Sequence, residues 1–526
     1  MTEQVSKVTL DYRFYNGSDD YSDGDIENDL LEYVKQASGK EYLSDYDKVC
    51  DILAGDNRWP ILYHLSPVRH NILEWYDFDK ESSVLEIGAG CGAVTGVLCK
   101  KVKRVTSVEL SKRRAMVNAY RNCDCDNLSI IVGNFNAITF EEKFDYITLI
   151  GVLEYANYFT GGEDSFVSFL SGVRKLLKPN GKLLIAIENK YGMKYFSGRV
   201  EDHTGRLFDG IENYSGCDSK VRTFSKHELE TIVKTAGMKG CKFYYPFPDY
   251  KFPTQIFSDD YLPKAEDLVC SQDTFDNDRI HLFDETAAFA GVVNAHMFDF
   301  FSNSFFVEAS VEDIKLAETK IYAKMTRERR KDYQIETDIY LNNHSGEKKV
   351  VKKSILAEAN SHIFRMHECY LDDHKLSQGK HLSATMCKSE FETGKISFEY
   401  VKGESLCDSL LESIKAGDKV AFEKKLFAYE NLVYDLAQAH SPEQDRKVTK
   451  ARNMNLDLTF DNIIEVMPGE YRVLDYEWCM SEILEVKYII FRAVYAFYMR
   501  YQQTIQNYYT MRELMDFFGI TQEEVE

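Results

Sequence analysis

The sequence lacks two features that would each define a broad class of protein. No apolar run is long enough to span a bilayer, and the longest candidate, residues 488–501, is interrupted by Arg492. That stretch instead predicts an amphipathic helix packed inside a domain. Positive charge is also scarce, because 85 acidic residues outnumber 64 basic ones and leave a formal net charge of −21. A binder of duplex nucleic acid needs a basic surface and is therefore not expected.

Cysteine pairs are missing as well. The 12 cysteines are scattered, with Cys123 and Cys125 the closest in sequence, and no pair of C-x-x-C motifs predicts a zinc site. Unpaired cysteines without a signal-peptide pattern predict a cytoplasmic protein. Contact with the inner face of the membrane through a partner is left open.

The length predicts more than one domain, because a single hydrophobic core does not grow to 526 residues. An apolar content of 44% and an aromatic content of 13% are typical of globular domains. Residues 285–310 are small, aromatic and apolar, and they could add strands to the first domain. The predicted division is an N-terminal extension over 1–55, a first domain over 56–265, a linker or domain-completing segment over 266–318 and a second domain over 319–526.

The first half alternates between strands and helices. Residues 82–101, "SSVLEIGAGCGAVTGVLCKK", predict an apolar strand, a glycine-rich turn and a helix. Further strands are predicted within 102–111, 128–135, 144–156 and 176–189. This alternation predicts a doubly wound parallel sheet that binds its ligand at the carboxyl ends of the strands.

The glycine-rich turn is the first candidate site. Gly88, Gly90 and Gly92 allow a tight turn and a close approach of the backbone to a ligand. Glu109 ends the next strand about twenty residues later, a spacing at which an acid accepts hydrogen bonds from ribose hydroxyls. A glycine-rich turn alone is compatible with any Rossmann-type nucleotide binder, including dinucleotide dehydrogenases.

With Glu86 in front of it, the G-x-G-x-G pattern resembles class I S-adenosylmethionine (SAM) methyltransferases. In that family the turn holds the methionine part of SAM. The resemblance implies that Glu109 holds the ribose and that the pair after the next strand flanks the adenine. It assigns cofactor binding to Glu86, Gly88, Gly90, Gly92, Glu109, Asn134, Phe135, Gly151 and Leu153.

The flanking sequences narrow this resemblance. Residues 59–76, 188–214 and 222–253 look like segments of bacterial methyltransferases encoded with cell-surface polysaccharide and lipopolysaccharide genes. The similarity covers residues 55–265. It implies a glycan or lipid-linked sugar as the acceptor, with a glycosyltransferase left open as a further partner.

The acceptor side is less defined. The polar residues 188–214 predict a lid, and a solvated loop is the alternative. Because the sulfonium of SAM is already activated, the protein mainly aligns the acceptor and excludes water. A hydroxyl acceptor would gain from a base, for which His64, His203 and Glu154 are candidates, and a structural role for His64 is the alternative. An anionic phosphate acceptor would instead need cations, for which the candidates are Arg69, Arg199 and Arg206.

From about residue 320 the pattern changes to consecutive strands. The predicted elements are three antiparallel strands at 320–325, 333–341 and 348–355, a helix beginning at 357–366, a strand and helix over 395–414, and a long amphipathic helix at 422–440. The next stretch, "NLDLTFDNIIEVMPGEYRVLDYEW", spans residues 455–478 and carries Asp457, Asn462 and Asp475.

This order resembles the protein-kinase-like small-molecule kinases, the group that holds aminoglycoside, choline and lipopolysaccharide-sugar kinases. By that resemblance Asp457 orients or deprotonates the acceptor hydroxyl, and Asn462 and Asp475 bind magnesium. Lys352 would meet the phosphates of ATP, and Glu358 would pair with it.

Three features leave this second site open. Lys353 is the alternative to Lys352, because one residue of strand register exchanges the two faces. Asn455 stands where the family has a histidine two residues before the catalytic acid. The turn at 326–332, "TRERRKD", is basic and has no glycine. A non-catalytic module with a kinase-like fold is therefore the alternative.

Together the two halves resemble bifunctional bacterial enzymes that phosphorylate and then methylate the end of an O-antigen polysaccharide. The expected fold is an α/β, Rossmann-like, doubly wound SAM methyltransferase domain followed by an α+β protein-kinase-like domain. The expected function is methylation of a surface glycan or its precursor, with ATP- and Mg²⁺-dependent phosphorylation of the same glycan. The alternatives are a methyltransferase with a binding or scaffold module and a small-molecule methyltransferase.

Overall fold

The computed structural model describes residues 2–17, 22–37, 46–160, 164–270, 279–313, 316–377, 384–441 and 448–525. The chain divides into two compact units, Met1–Glu328 and Arg329–Glu526. Parts of the predicted N-terminal extension and of the predicted linker lie outside the described residues. Within the described ranges, no helix combines the length and the apolar character that crossing a membrane requires.

The first unit is an α/β assembly. Its described strands are β1 (Thr2–Val5), β2 (Val8–Phe14), β3 (Ser83–Ile87), β4 (Arg104–Glu109), β5 (Leu128–Gly133), β6 (Phe144–Ile150), β7 (Leu177–Glu188), β8 (Gly240–Phe247), β9 (Gln255–Ser258), β10 (Ser304–Ser310) and β11 (Glu318–Met325). Its described helices are α1 (Ile26–Ala37), α2 (Tyr46–Gly55), α3 (Trp59–Leu65), α4 (Asn71–Glu74), α5 (Thr95–Lys101), α6 (Lys112–Arg121), α7 (Ala156–Phe159), α8 (Ser165–Lys175), α9 (Met193–Phe196), α10 (Lys226–Thr235), α11 (Glu285–Asn294) and α12 (Phe298–Phe301).

These strands lie in the order β1-β2-β5-β4-β3-β6-β7-β10-β8-β9-β11. The pairs from β2 to β7 are parallel, which confirms the predicted doubly wound sheet. The chain order reverses between β3 and β6, and sheets of this kind bind ligands at such a switch point. All five residues of β3 are buried, as expected for a parallel strand covered on both faces.

Segments outside the predicted first domain contribute to this sheet. β2 pairs in parallel with β5, and β10 is inserted antiparallel between β7 and β8. Every residue of β10 is buried, so the last part of the apolar segment 285–310 adds a strand to the first unit, as the sequence predicted. β11 pairs with β9, so residues 319–328, which the sequence pattern assigned to the second domain, fall in the first unit.

The second unit mixes antiparallel strands with helices. Its described strands are β12 (Ile335–Asn342), β13 (Lys348–Ser354), β14 (Ala384–Met386), β15 (Ser389–Glu392), β16 (Lys395–Glu399), β17 (Glu404–Ser405), β18 (Lys450–Ala451), β19 (Met454–Asn455), β20 (Ile463–Met467), β21 (Glu470–Val473), β22 (Cys479–Met480) and β23 (Leu484–Glu485). Its described helices are α13 (Asn360–Ser377), α14 (Leu406–Lys415), α15 (Lys419–Ala439), α16 (Val486–Arg500), α17 (Gln502–Ile505), α18 (Met511–Phe517) and α19 (Gln522–Val525).

Two larger sheets and two hydrophobic cores organise the described part of this unit. One sheet has the order β12-β13-β16-β15 and shares a core with α13, whereas the other has the order β14-β21-β20-β17. A larger core joins α14, α15 and α16. In α16, Ile490 and Phe497 are buried while Tyr488 and Tyr495 are half exposed. The amphipathic, packed helix predicted over residues 488–501 is therefore confirmed.

Candidate functional site

The glycine-rich turn connects β3 to α5. The φ angles of Gly88, Gly90 and Gly92 are +73°, +54° and +74°, in the left-handed region that favours glycine. An added Cβ would lie 2.6 Å from Val152 Cγ2 at Gly88 and 2.3 Å from Asn118 Oδ1 at Gly92. At Gly90 it would meet no atom within 4 Å. Gly90 is thus the glycine of this turn that faces open space.

Glu109 ends β4 beside this open space. Its Oε2 accepts a hydrogen bond from the Gly90 N–H at 2.7 Å, and its Oε1 accepts one from the Ser111 N–H at 2.9 Å. Burial raises the pKa of the Glu109 carboxyl, and the backbone hydrogen bonds partly offset this effect. Glu109 is held at the carboxyl end of its strand, where the sequence predicted a ribose contact.

Glu86 lies in the middle of the sheet and turns inward. Its Oε2 accepts hydrogen bonds from Thr95 Oγ1 at 2.8 Å and from Ser107 Oγ at 2.6 Å. Burial raises the pKa of Glu86 to about 7. Since Thr95 begins α5 and Ser107 lies on β4, this carboxylate ties the helix after the turn to the sheet. Its described contacts are those of a positioning residue, and direct contact with SAM stays a prediction.

The predicted adenine neighbours follow β5. Asn134 Oδ1 accepts a hydrogen bond from the Asn136 N–H at 2.9 Å and so caps a short 3-10 helix. Phe135 is partly exposed, and its ring centroid lies 6.0 Å from that of Phe140 and 5.8 Å from that of Phe169. An aromatic surface is therefore present next to the carboxyl end of β5.

Gly151 and Leu153 follow β6 directly. Leu153 is fully buried in the core, so only its backbone is available to a ligand. A Cβ added at Gly151 would lie 2.9 Å from Tyr250 Oη. Gly151 therefore brings the end of β6 close to a tyrosine hydroxyl from a distant part of the chain.

Three acid–base residues meet at the ends of β6 and β7. They are Glu154, Glu188 and His203, named here the EEH cluster, and one potential ligand atom of each lies within 4.8 Å of the others. Glu154 follows β6, Glu188 is the last residue of β7, and His203 lies between α9 and α10. Glu154 is 1% exposed and Glu188 is fully buried. The sequence predicted Glu154 and His203 as acceptor-side residues but missed Glu188, whose only signal is an acid ending the apolar strand "LLIAIEN".

The contacts around the EEH cluster are directional. His203 Nδ1 lies 3.0 Å from Tyr155 Oη, and its Nε2 lies 3.6 Å from Glu188 Oε2. Glu188 Oε1 forms an ion pair with Lys251 Nζ at 2.8 Å. Within the EEH cluster, Glu154 Oε2, Glu188 Oε2 and His203 Nε2 are buried and have no hydrogen-bond partner among the described residues.

The electrostatics of the EEH cluster follow from this burial. Burial raises the pKa of Glu154 to about 8, with a further contribution from the charge of Glu188. Glu188 is shifted the other way, because Lys251 and His203 overcome its burial and hold its pKa below the usual range. Burial opposes a charged His203, but contact with Glu188 raises the pKa of His203 to about 9. Without a bound ligand, Glu154 and His203 therefore retain protons at neutral pH.

The polar segment predicted as a lid is tied into the first unit by ion pairs. The side chain of Asp202 is 5% exposed, lies 3.0 Å from Lys194 Nζ and accepts a hydrogen bond from Tyr195 Oη at 2.6 Å. Arg199 lies 3.7 Å from Asp202. The alternative of a freely solvated loop is therefore wrong for this part of the segment.

The other candidate cations differ in exposure. Arg206 lies 3.6 Å from Asp209 and is 60% exposed in its side chain. Arg69 is buried, donates to the Lys251 carbonyl at 3.0 Å and to Tyr63 Oη at 3.2 Å, and its Nε has no partner among the described residues. Arg69 thus contacts the chain segment that carries Lys251, which forms the ion pair with Glu188 of the EEH cluster.

His64 belongs to a different network. Its Nε2 lies 3.0 Å from Asp23 Oδ2, which also pairs with Arg114 Nη2 at 2.6 Å. Burial lowers the pKa of His64, and contact with Asp23 partly offsets this effect. These contacts match the structural alternative, and a role as base stays a prediction.

The second unit brings together most of the residues predicted there. Lys352 on β13 donates to both carboxylate oxygens of Asp475, at 2.8 and 2.7 Å, and to Glu477 Oε2 at 3.1 Å. Burial lowers the pKa of Lys352, but the charges of the two acids raise it by more. The ammonium of Lys352 therefore stays charged. Glu477 also pairs with Arg329 and lies 3.3 Å from His362 Nε2.

Asn455 joins the two loops that carry the predicted acids. Its Oδ1 accepts from the Asp457 N–H at 2.8 Å, and its Nδ2 donates to the Asp475 carbonyl at 2.6 Å. Asn462 Nδ2 donates to the Asp457 carbonyl at 3.0 Å. Burial and the charge of Asp475 raise the pKa of the Asp457 carboxyl, which pairs with Arg492 at 3.1 Å. Asp457, Asn462 and Asp475 therefore belong to one hydrogen-bonded constellation with Lys352.

One prediction for this constellation needs correction. Glu358 is exposed on a short 3-10 helix, and Lys352 pairs with Asp475 and Glu477 instead, because the strand directs its ammonium toward their loop. Lys353 lies on the opposite face and pairs with Glu336 at 3.0 Å, so the choice of Lys352 over Lys353 agrees with the register. The sequence missed Glu477, although it lies two residues after Asp475.

Ion pairs neutralise much of the charge of the basic turn at 326–332. Arg327, in the first unit, donates to Asn71 Oδ1 at 2.9 Å and to Glu74 Oε2 at 2.8 Å. Arg330 pairs with Asp332 at 2.9 Å and is 80% exposed. The turn is thus built into the protein by ion pairs, with Arg330 the most exposed of these arginines.

The first unit combines a doubly wound sheet, a glycine turn that faces open space and an acid at the tip of the neighbouring strand. These features define a Rossmann-like, nucleotide-binding class of domain. Residues 85–185 match the profile of a family described as "Methyltransferase domain". The match starts on β3 and ends within β7, so it covers the glycine turn, Glu109 and Gly151. This part of the chain is a class I methyltransferase domain.

Relatives with known names each match a part of the chain. A malonyl-[acyl-carrier protein] O-methyltransferase of Priestia megaterium is 31% identical over 111 residues, which are 21% of this chain and 38% of that protein. A ubiquinone biosynthesis O-methyltransferase of Hydrogenovibrio crunogenus is 22% identical over 26% of this chain and 54% of its own length. The chain thus spans less than two thirds of the length of these relatives.

Among solved structures, phosphoethanolamine N-methyltransferase 1 of Haemonchus contortus, in complex with phosphoethanolamine and S-adenosylhomocysteine, is 15% identical. The match covers 56% of this chain and 51% of that one, with a TM-score of 0.30.

Proposed function

We propose that the first unit transfers a methyl group from SAM to an oxygen of a cell-surface glycan or of its lipid-linked precursor. The observation that supports SAM binding is the hydrogen bond from the Gly90 N–H to Glu109 beside open space. Gly90 allows the backbone to approach a ligand, and Glu109 offers acceptors for ribose hydroxyls. SAM, when bound, supplies an activated methyl group.

The acceptor would approach the ends of β6 and β7. Gly151 and Glu154 follow the first of these strands, and Glu188 ends the second. Around this point the protein supplies carboxylates, an imidazole and the hydroxyls of Tyr155 and Tyr250. Burial of these groups excludes water, and their fixed directions orient a polar acceptor.

The glycan part of the proposal rests on the flanking segments, which resemble methyltransferases of surface-polysaccharide gene clusters. The named relatives favour a different acceptor, because their names refer to malonyl-[acyl-carrier protein] and to ubiquinone biosynthesis. Methylation of a small molecule is therefore the second candidate. Labelled methyl from SAM in the glycan fraction of the producing organism favours the first candidate, whereas label only in small molecules favours the second.

We further propose that the second unit is a kinase-like phosphotransferase acting on the same glycan with ATP and Mg²⁺. The specific observation that favours it is the constellation of Lys352, Asp457, Asn462 and Asp475. Asp457 would orient the acceptor hydroxyl, and Asn462 and Asp475 would hold magnesium. A glycan-binding or scaffold module that recruits a glycosyltransferase is the alternative.

Cofactor binding to the first unit is tested by calorimetric titration of the full chain with SAM. Gly90→Ala adds a methyl group in the proposed cofactor space and should weaken SAM binding by at least about tenfold, or 1.4 kcal/mol. Gly417→Ala is the matched control, because Gly417 also has a positive φ of +70° and open space around it, but lies in the second unit. Absence of SAM binding by the unmodified chain would overturn the proposal.

Nucleotide binding to the second unit is tested by titration with Mg²⁺ and ATP. Asp475→Asn should abolish the Mg²⁺-dependent part of ATP binding, because it removes a metal ligand. Asp373→Asn is the control, since Asp373 is a buried acid of the same unit that pairs with His440 away from this constellation. ATP binding that ignores magnesium in the unmodified chain would support the binding-module alternative.

A further inference from the structure

We propose that the EEH cluster of Glu154, Glu188 and His203 is a divalent metal site. One donor atom from each side chain lies within 4.8 Å of the others, at the end of the parallel sheet. Two carboxylates and one imidazole form a mixed oxygen and nitrogen donor set, which suits Mn²⁺, Fe²⁺ or Zn²⁺.

The donor atoms are buried without hydrogen-bond partners. Glu154 Oε2, Glu188 Oε2 and His203 Nε2 have no such partner among the described residues. Leaving a buried polar atom unpaired costs about 1–3 kcal/mol, and more for a charged group. Three such atoms that converge on one point therefore indicate a ligand that all three bind.

The surrounding contacts orient the donors. Tyr155 Oη lies 3.0 Å from His203 Nδ1 and holds the side of the ring that faces away from the two glutamates. Metal-binding histidines are commonly held in this way through their second nitrogen. Lys251 pairs with Glu188 Oε1 and leaves Oε2 directed toward His203 Nε2, at 3.6 Å. Two donors of one ion with bonds of about 2.1 Å lie about 3–3.5 Å apart, so this edge needs little adjustment.

Other buried histidine–acid contacts of the chain differ in this respect. His440 Nε2 lies 2.9 Å from Asp373 Oδ1, a complete hydrogen bond between one base and one acid. His362 lies 3.3 Å from Glu477, whose carboxylate also binds Lys352 and Arg329. In both cases protein groups already form hydrogen bonds with the acid. In the EEH cluster, an oxygen of each glutamate has no hydrogen bond among the described residues.

The position suggests what the ion would do. It would lie beside Gly151, where the methyl acceptor approaches, and this role rests on the proposed methyl transfer. A divalent ion there binds an acceptor oxygen and favours its deprotonation. An acceptor with adjacent oxygens, such as the hydroxyls of a sugar, matches such an ion as a ligand.

Metal binding is tested directly on the full chain after treatment with a chelator. Titration with Mn²⁺, followed by the electron paramagnetic resonance signal of the free ion, should show about one bound ion per chain. Glu154→Gln and His203→Ala should each weaken Mn²⁺ binding by more than about tenfold. His440→Ala is the matched control and should leave Mn²⁺ binding unchanged, because its histidine–acid pair lies in the second unit.

The outcomes separate this inference from the proposed function. Failure of the unmodified chain to bind Mn²⁺, or equal binding by Glu154→Gln, would overturn the metal site even if SAM binds normally. Binding of Mn²⁺ with no binding of SAM would retain the metal site and overturn the methyl transfer. Circular dichroism checks the fold of each variant, and the isosteric Glu154→Gln keeps the test decisive if His203→Ala does not fold.

Discussion

The two buried acid clusters of this chain differ in how their charge is neutralised. In the second unit, Lys352 lies within 3.1 Å of oxygens on both Asp475 and Glu477, and Arg329 also pairs with Glu477. In the EEH cluster, Lys251 meets one oxygen of Glu188 while an oxygen of each glutamate stays without a hydrogen bond. Acid clusters alone therefore do not predict a bound ligand. The acids of the second unit are neutralised by cations of the chain itself, whereas the EEH cluster needs a proton or a metal.

The ion pair between Lys352 and Asp475 bears on the proposed kinase activity. Both oxygens of Asp475 accept hydrogen bonds from Lys352. Magnesium binding at Asp475 therefore requires Lys352 to move toward the ATP phosphates. The ion pair would be the resting arrangement of the nucleotide site.

The largest effect is expected for Lys352→Met. Removing the ammonium leaves the buried Glu477 and the partly exposed Asp475 without their shared cation, which should lower the free energy of unfolding by about 3–5 kcal/mol. Chemical denaturation of the full chain measures it. Lys388→Met is the control, because Lys388 is 68% exposed and lies 4.0 Å from Glu390, so its loss should be close to neutral. Equal stability of the two variants would contradict the importance given to the Lys352 pairs.

Glu86 sharpens the comparison as a third buried acid, with one oxygen bonded and the other, Oε1, without a partner among the described residues. Its folded pKa of about 7 lies above the ordinary glutamate value of 4.5, so ionisation destabilises the fold. The contribution of Glu86 to the free energy of unfolding is complete below the pKa of the unfolded state and is lost as the pH rises toward 7. Relative to the unmodified chain, Glu86→Gln should therefore gain on the order of 2–3 kcal/mol between pH 4.5 and pH 8.

Thermal unfolding of both chains at the two pH values measures this gain. The serine and threonine that donate to Glu86 make the variant slightly less stable at low pH, where Glu86 is neutral in both states. A stability difference that does not change with pH would show that folding does not raise the pKa of Glu86.

The smallest effect is expected for Tyr155→Phe. Loss of the hydroxyl frees His203 Nδ1 and should weaken Mn²⁺ binding by about tenfold, because the imidazole is no longer oriented. Stability should change little, since the ring remains. Tyr146→Phe, whose hydroxyl accepts from the Asp79 N–H elsewhere in the first unit, is the control. Unchanged affinity would show that Tyr155 does not orient the histidine.

Much of the first unit could be predicted from local sequence. Apolar strands, the glycine spacing and the acid at the end of β4 are features of neighbouring residues, and each was found where expected. The insertion of β10 between β7 and β8 could not be predicted, because strand order depends on contacts between residues far apart in the chain. The same limit explains why β11 was assigned to the wrong half.

The amino-acid sequence by itself determined the parallel sheet, the open glycine turn and the order of acids and amide in residues 455–478, because these depend on short-range periodicity and spacing. Only the tertiary structure decided which charges meet. Glu188, His203 and Lys251 come from separate segments, and Lys352 selects Asp475 and Glu477 over Glu358. Packing sets these partnerships, since a buried charge is stable only where the folded chain supplies its counterpart.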